Sequence, residues 1–511
     1  MKFTLLFIIL LCSSLVSSAQ NVTIFPNGIT PATTSTHPRI SYDQILALPN
    51  PLKGDLAYDL TFNCLRVFNG TKWLHLLSTQ DVGQTSNTAW GILGNSSVGS
   101  NAIAKDNSGN IYITGNFQGT AMFGSTNITT TGDNDVYLAK YSSEGVLIWV
   151  KTAGSLAGDI SIDCVIDGNG DIVITGYYFD SITFGTTTLT NSGSSDVFIV
   201  KFDTYGNVIW AKSSGGTSLD ISSSIEVDNF GNIYICGYFS NTITFPGISA
   251  FTLISAGLQD GYLAKFDSNG NTQWVKAISG SSNQIAKDIL VSSTAIFVLG
   301  EYENTTNFGI SCALTSTVSN REIFVAKYNL NGDCQSAIGF GGSGTDLASR
   351  LAKDANSNIF VCGSIFGNAT LGPFSLSSFG NSDAFFVKMN NDLSILYAKL
   401  LGGPSSDVAN DVSVDGSGNV FLTGHYTGSM SNGVKIVNSN GTSDIFVSKF
   451  TNLGNPIWLQ GFGGADFEAG NRLFSGTSIY VIGLFSQTVN FGNILTNTSQ
   501  NVNAFALRIV E

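Results

Sequence analysis

The run Asp228-Asn229-Phe230-Gly231-Asn232-Ile233-Tyr234-Ile235-Cys236-Gly237-Tyr238-Phe239 sets an Asp/Gly/Asn turn before an apolar segment. Glycine and asparagine supply the positive φ that tight turns demand, and Ile, Tyr and Phe favour extended backbone. The same phrase recurs with its second glycine at Gly115, Gly176, Gly237, Gly300, Gly363, Gly424 and Gly483. The successive spacings are 61, 61, 63, 63, 61 and 59 residues. A period this regular marks a repeat architecture.

Each copy reads as four strands. In the second copy, strands are predicted over residues 161–166, 172–179, 196–202 and 208–212. Tight turns, Asp167-Gly168-Asn169-Gly170-Asp171 and Asp203-Thr204-Tyr205-Gly206-Asn207, join the first strand to the second and the third to the fourth. A longer connection carrying Phe184-Gly185 joins the second to the third. The inner strands are apolar on both faces, so each must be covered by sheets on both sides. Four antiparallel strands per copy in seven copies predict an all-β fold, a seven-bladed β-propeller of four-stranded antiparallel blades. The last copy ends after its third strand, while Ala89-Trp90-Gly91-Ile92-Leu93 matches Ile148-Trp149-Val150-Lys151-Thr152. The last blade is therefore expected to be closed by this N-terminal strand, which removes an open sheet edge.

The pattern D-x-x-G-N-I-Y-I-T-G, then F-G, D-V-Y-L-A-K-Y and G-x-x-x-W, closely resembles the bacterial β-propeller repeat family called SBBP. The resemblance covers about residues 88–511. It implies a propeller fold and a frequent surface location, and it implies no settled activity.

Three segments are expected. Residues 1–19 read as a secretory signal peptide, with Lys2, an apolar run from Phe3 to Leu11 and a small-residue site at Ser17-Ser18-Ala19. Bulky Leu11 before Cys12 argues against a lipid-anchored start. Residues 20–82 form a lead-in with Pro26, Pro31, Pro38, Pro49 and Pro51, followed by a small β-hairpin module around Asn69-Gly70. The phrase from Gly54 to Leu76 looks like a segment near the start of many secreted bacterial surface proteins. Residues 83–511 form the propeller. No later run approaches the length of a transmembrane helix, so a secreted, extracellular or cell-surface protein is expected.

Only 12% of residues are charged and the net charge is -13. No basic patch is present to neutralise phosphates, which argues against nucleic acid. Histidine is confined to His37, His75 and His425, so a Ser-His-Asp triad or a multi-histidine metal centre lacks support. Asp167-x-Asn169-x-Asp171 resembles half of a calcium loop. Other copies read Asp106-Asn107-Ser108-Gly109-Asn110 and Asp415-Gly416-Ser417-Gly418-Asn419, which are simple turns, and the distant acidic ligand is missing, so no cofactor is expected and calcium is the alternative. The recurrent pairs Asp135/Lys140, Asp196/Lys201, Asp260/Lys265, Asp383/Lys388 and Asp444/Lys449 read as strand-end hydrogen bonding and ion pairing.

Two groups carry sharper expectations. Cys312 and Cys334 fall in connections of the fourth copy and are candidates for a disulfide, whereas Cys236 and Cys362 occupy a buried strand slot filled by Thr114, Thr175 and Thr423 elsewhere. Asp159, Asp220, Asp346, Asp407 and Glu468, with Gln284 in the same slot, stand where first strands begin. They are candidates for an acidic ligand-binding ring at the channel mouth, on the rim of the longer loops. The competing reading makes each an Asx-type cap of nearby backbone N–H groups. The expected role is a non-enzymatic binding or adhesion scaffold for an extracellular glycan or protein. The alternative is a propeller-fold carbohydrate-active enzyme, a glycosidase or lyase, marked by two convergent carboxylates about 5–10 Å apart.

Overall fold

In the computed structural model, the structure describes residues 87–510 with a few short gaps. Between residues 24 and 76 it describes only isolated strands and parts of the stretch 44–51. The expected signal segment lies outside the described residues. The chain divides into two units, Met1–Ser86 with Val510–Glu511, and Asn87–Ile509.

In the first unit, Leu56–Asp59, Cys64–Phe68 and Trp73–Leu76 pair antiparallel in order, and Arg39–Ile40 runs parallel beside the first of them. The second unit is all-β, and its described residues contain no helix. Among the described residues of the chain, no helix is long and apolar enough to cross a membrane.

The sheets of the second unit are antiparallel. Asp159–Ile166 pairs with Ile172–Tyr178, which pairs with Asp196–Phe202, which pairs with Val208–Ser214. The strands differ from their predicted bounds by at most two residues at either end. Other first strands in this pattern are Val98–Lys105, Asp220–Val227, Gln284–Val291, Leu347–Lys353, Asp407–Val414 and Glu468–Phe474. The sheet that begins at Glu468 receives its fourth strand from Thr88–Gly94, with Trp90 opposite Ala506.

The predicted longer connection holds a hairpin that the sequence reading missed. Ile182–Phe184 pairs with Thr187–Leu189 across a two-residue turn. In the first and fifth sets the hairpin merges with long second and third strands, such as Ile111–Phe123 and Thr126–Tyr141. The Phe-Gly motif explains it. Phe184 is buried with its ring 5.1 Å from that of Phe198, and this anchors the hairpin on its own sheet.

The core lies between neighbouring sheets. Tyr112, Val136 and Leu138 pack with Ile172, Ile174, Phe198 and Val200. At the other end of the repeat, Tyr480, Ile482, Ala504 and Ala506 pack with Ile111, Ile113 and Tyr137, so the last sheet meets the first. Each large apolar side chain so buried contributes about 1.5–3 kcal/mol. The glycine of the repeated phrase is required by close approach, because a Cβ at Gly237 would lie 2.0 Å from the Ile221 carbonyl oxygen.

The recurrent Asp and Lys of the third strand do not pair with each other. They stand five residues apart, an odd step that sends the two side chains to opposite faces. The lysines reach the first turn instead. Lys201 lies 2.7 Å from Asp167, Lys388 3.2 Å from Asp354 and Lys140 3.7 Å from Asp106.

Candidate functional site

Every first strand carries a register break at one place. The breaks fall between Ser100 and Ala102, Ser161 and Asp163, Ser222 and Ser224, Ala286 and Asp288, Ala348 and Arg350, Ala409 and Asp411, and Gly470 and Arg472. A bulge frees one residue from the ladder and re-aims its side chain. The freed residues are Asn101, Ile162, Ser223, Lys287, Ser349, Asn410 and Asn471, and all of them line one cavity of about 450 Å³. Tyr177 and Tyr238 join from second strands, and Arg350 and Arg472 from the positions after the bulge.

The amides are fixed from behind. Asn101 Nδ2 donates to Ser161 O at 2.8 Å, Asn410 Nδ2 to Gly470 O at 2.9 Å and Asn471 Nδ2 to Ser100 O at 2.9 Å. Each bond spans two neighbouring first strands, so the wall is pre-organised. Asn410 also lies 3.4 Å from His425 Nδ1, and burial lowers the pKa of that imidazole.

Below the wall sits an ionic cluster. Arg350 Nη1 donates to Asp288 Oδ1 at 2.6 Å and to Asp163 Oδ2 at 3.3 Å. Ser224 Oγ lies 2.7 and 2.8 Å from the same two oxygens. The second oxygen of Asp288 accepts from Leu351 N at 2.6 Å, as Asp411 Oδ2 accepts from Leu473 N at 2.7 Å. Burial raises the Asp288 carboxyl despite the arginine and pushes that of Asp411 up to about 7.

The predicted acidic residues are elsewhere. Asp159, Asp220, Asp346, Asp407 and Glu468 are fully buried. Asp220 is not among the residues that line the cavity, although Ile221, Ser222 and Ser223 after it are. The oxygens take up backbone donors. Asp220 accepts from Gly216 N, Asp346 from Gly342 N, Asp407 from Gly403 N and Glu468 from Gly464 N, each at 2.7 Å. This is a buried capping layer and not a ring at the channel mouth.

Each of these carboxyls also lies near an acidic residue at the start of a third strand. Those neighbours are Asp135, Asp196, Glu322, Asp383 and Asp444 respectively. Burial first, with the neighbouring carboxylate adding, pushes Asp159 up to about 7, Asp220 to about 8, Asp346 to about 6, Asp407 to about 7 and Glu468 to about 7. Asp196 Oδ1 and Asp220 Oδ1 are both buried without a hydrogen-bond partner, as are Asp444 Oδ1 and Glu468 Oε1. Their raised pKa values favour a protonated carboxyl, which carries a donor of its own. Where Asp260 would meet a further carboxylate, the chain carries Gln284, a neutral group of similar shape.

Cys312 and Cys334 are joined as a disulfide with their Cα atoms 6.2 Å apart. They do not lie in irregular loops. Cys312 opens a strand of the small hairpin and Cys334 opens the fourth strand of its sheet. Cys164, Cys236 and Cys362 are free and buried. Among the described residues, no group of three His, Cys, Asp or Glu side chains could hold a metal ion. At the half calcium loop, the Lys201 ammonium lies 2.7 Å from Asp167 and 3.3 Å from Asp171, where a cation would have to sit. A second cavity, of about 320 Å³, is lined by Val136, Ile174, Phe184 and backbone of neighbouring outer strands. Its other lining residues include Lys151, Thr152, Thr186 and Asn207, but it lacks the tyrosines and arginines of the larger cavity, which is the better candidate.

The bulge residues have no residue type in common, so they do not stand out among the recurring residues of the copies. The signal was available. At the bulge position, within a segment whose spacing is constant, the copies carry polar residues in six of seven cases without sharing one residue type.

A family model for the SBBP β-propeller repeat matches residues 396–425 and supports the repeat type. An uncharacterized WD repeat-containing protein of Acanthamoeba polyphaga mimivirus is 23% identical over 452 residues, covering 72% of this chain and 32% of its own length. Regulatory protein FlaEY of Caulobacter vibrioides is 26% identical over 389 residues, covering 70% of this chain and 39% of its own. The chain thus spans between a third and two fifths of these relatives. Among solved structures, the endosialidase of phage phi92 superposes with a TM-score of 0.38 at 10% identity, over 86% of this chain and 71% of its own. A Synechocystis apocarotenoid oxygenase reaches 0.38 at 9% identity, over 84% and 94%. Neither superposition bears on function.

Proposed function

We propose that the chain is a secreted or cell-surface seven-bladed β-propeller, its last blade closed by Thr88–Gly94, that works as a non-enzymatic binding scaffold. Its ligand is an extracellular glycan or protein, seated in the cavity framed by the bulges. The small module within residues 20–82 precedes the propeller and a signal peptide precedes that module. The observation that carries this reading is the cavity wall itself, which presents amides, hydroxyls, two tyrosines and cations without a carboxylate. Tyrosine faces and pinned amides suit polyhydroxyl and polar ligands.

The enzymatic alternative needs two free carboxylates facing the cavity. Asp163 and Asp288 do converge on Ser224 Oγ, yet both are ion-paired with Arg350, and Asp288 is buried. Neither is placed to protonate a glycosidic oxygen in the cavity. The test is glycan-array and solution binding with the full chain, followed by the double variant Tyr177→Ala/Tyr238→Ala. Loss of binding by at least tenfold is expected. Unchanged binding would refute the cavity as the site, and cleavage of a retained glycan would install the enzyme in its place.

A further inference from the structure

We propose that the cavity selects an anionic saccharide, one carrying a carboxylate, with Arg472 as its anchor. This rests on the cavity being the binding site. The argument turns on which cations in the wall are already engaged. Arg350 is held between Asp163 and Asp288 and is largely buried. Lys287 lies 3.5 Å from Glu301, which also takes Arg321 at 3.1 Å. Arg472 differs. Its Nη1 donates to Asn471 O at 3.3 Å, and among the described residues no carboxylate lies within ion-pair distance of it.

An arginine without a counter-ion stands out in a chain of net charge -13. Asp411, one first strand away, offers little compensation. Its oxygens accept from Val412 N at 2.8 Å and Leu473 N at 2.7 Å, and burial favours its neutral form. The Arg472 guanidinium is partly exposed in a cavity whose wall bears no acidic side chain. A planar guanidinium pairs with carboxylate through two parallel hydrogen bonds. Asn410 and Asn471 flank it with amides whose nitrogens are spent on backbone carbonyls, which leaves their oxygens to accept from sugar hydroxyls. The wall therefore joins one anion-binding fork to several hydroxyl-binding groups.

The probes are oligogalacturonate and its neutral parent, an oligogalactoside, titrated against the full chain at low salt. The acidic sugar should bind about tenfold tighter or better, as a hydrogen-bonded charge pair implies, and the advantage should shrink as salt screens it. Arg472→Gln should remove that advantage, so that the acidic and neutral sugars bind the variant about equally. Arg472→Lys should keep part of it, since a point charge lacks the fork. Both variants should melt as the parent does, because Arg472 is not part of a buried ion pair. If Arg472→Gln keeps the preference for oligogalacturonate, or if the two sugars bind the parent equally, the charge inference is overturned. In either case the cavity stands so long as Tyr177→Ala/Tyr238→Ala abolishes binding. If that double variant also binds normally, both readings fall. Absence of oligogalacturonate binding at millimolar concentration overturns the inference outright.

Discussion

Two layers of the first strands lie three residues apart and follow opposite rules. At the strand start, the side chains are nearly the same from copy to copy: Asp159, Asp220, Gln284, Asp346, Asp407 and Glu468. They are buried, and Asp220, Asp346, Asp407 and Glu468 each give one oxygen to a backbone N–H group. At the bulge, the backbone feature is the same in every copy but the side chains are Asn101, Ile162, Ser223, Lys287, Ser349, Asn410 and Asn471. A repeated residue at a repeated place serves the fold. A varied residue at a repeated, solvent-facing kink is free to serve a ligand. Acidity alone pointed to the wrong layer, because these carboxylates are buried and do not line the cavity.

The largest expected effect breaks the capping layer by pH. Its carboxyls titrate near 6 to 8 in the folded chain, against about 4 when unfolded. Between those values the folded state holds protons that the unfolded state has released, so stability falls as pH rises. It is fully present below pH about 4 and lost through about 8. Asp203, Asp267, Asp333 and Asp354 are shifted down by hydrogen bonds to neighbouring asparagines and backbone, with lysine contacts adding at some of them, and they oppose this trend only in stronger acid. One pKa unit corresponds to about 1.4 kcal/mol. A single carboxyl near 7 accounts for about 2 kcal/mol between pH 5.5 and 8.5, so a loss of at least that size is expected, read by chemical denaturation. A curve that is flat or rises toward pH 8.5 would break the assignment of protonated carboxyls. Asp220→Asn should reduce the slope, as Gln284 already does for its own interface.

A smaller effect separates the layers at adjacent residues. Ser222 is buried and its hydroxyl accepts from Thr175 Oγ1 at 2.8 Å, a contact that the first and second copies repeat between Thr114 and Ser161. Ser223 is the bulge residue next to it; both border the cavity, but Ser223 is partly exposed to it while Ser222 is buried. Ser222→Ala should cost about 1 kcal/mol, for a buried hydroxyl–hydroxyl hydrogen bond lost while Thr175 Oγ1 keeps the Phe198 carbonyl at 2.9 Å. Ser223→Ala should stay within about 0.5 kcal/mol, as surface changes do. Paired urea titrations give both numbers. Equal losses would mean that the bulge position is part of the packing and that the distinction between the layers fails.

Much of the fold was legible in the sequence because turn chemistry and strand patterning repeat. Asp167 Oδ1 accepts from Asn169 N and Asp171 N, and Asp228 does the same for Phe230 and Asn232, so the Asp/Gly/Asn phrase carries its own geometry. Trp90 was legible as a fourth-strand residue because it aligns with Trp149 and Trp210. The candidate site was less legible. A bulge has no residue signature of its own, and the disagreement among Asn101, Lys287 and Asn471 looks like drift until the kink aims them into one cavity. The pairing of Lys201 with Asp167 instead of Asp196 was hidden for a related reason. It depends on which face of the third strand the lysine leaves, and the first turn is distant in sequence.

The smallest expected effect tests the rule where one copy departs from the others in a turn. Ser357 occupies the slot of Gly231 and Gly109, with φ 64° against 79° and 88°. The turn is otherwise intact, since Asp354 Oδ1 accepts from Asn356 N and Asn358 N at 2.9 Å each. Left-handed backbone costs an L-residue about 1–2 kcal/mol, and glycine's greater unfolded freedom costs about 0.5–1 kcal/mol. Ser357→Gly should therefore stabilise by about 0.5 kcal/mol, a melting rise of under about 2 °C in a chain of this size. Ser357 is exposed and far from the bulge layer along its strand, so nothing in the site should compensate. A stabilised variant means that this departure is drift, and that variation among copies signals a site only where the side chain faces a cavity. A destabilised variant means that Ser357 makes a contribution of its own, and the rule drawn from the bulges must then extend to the turns.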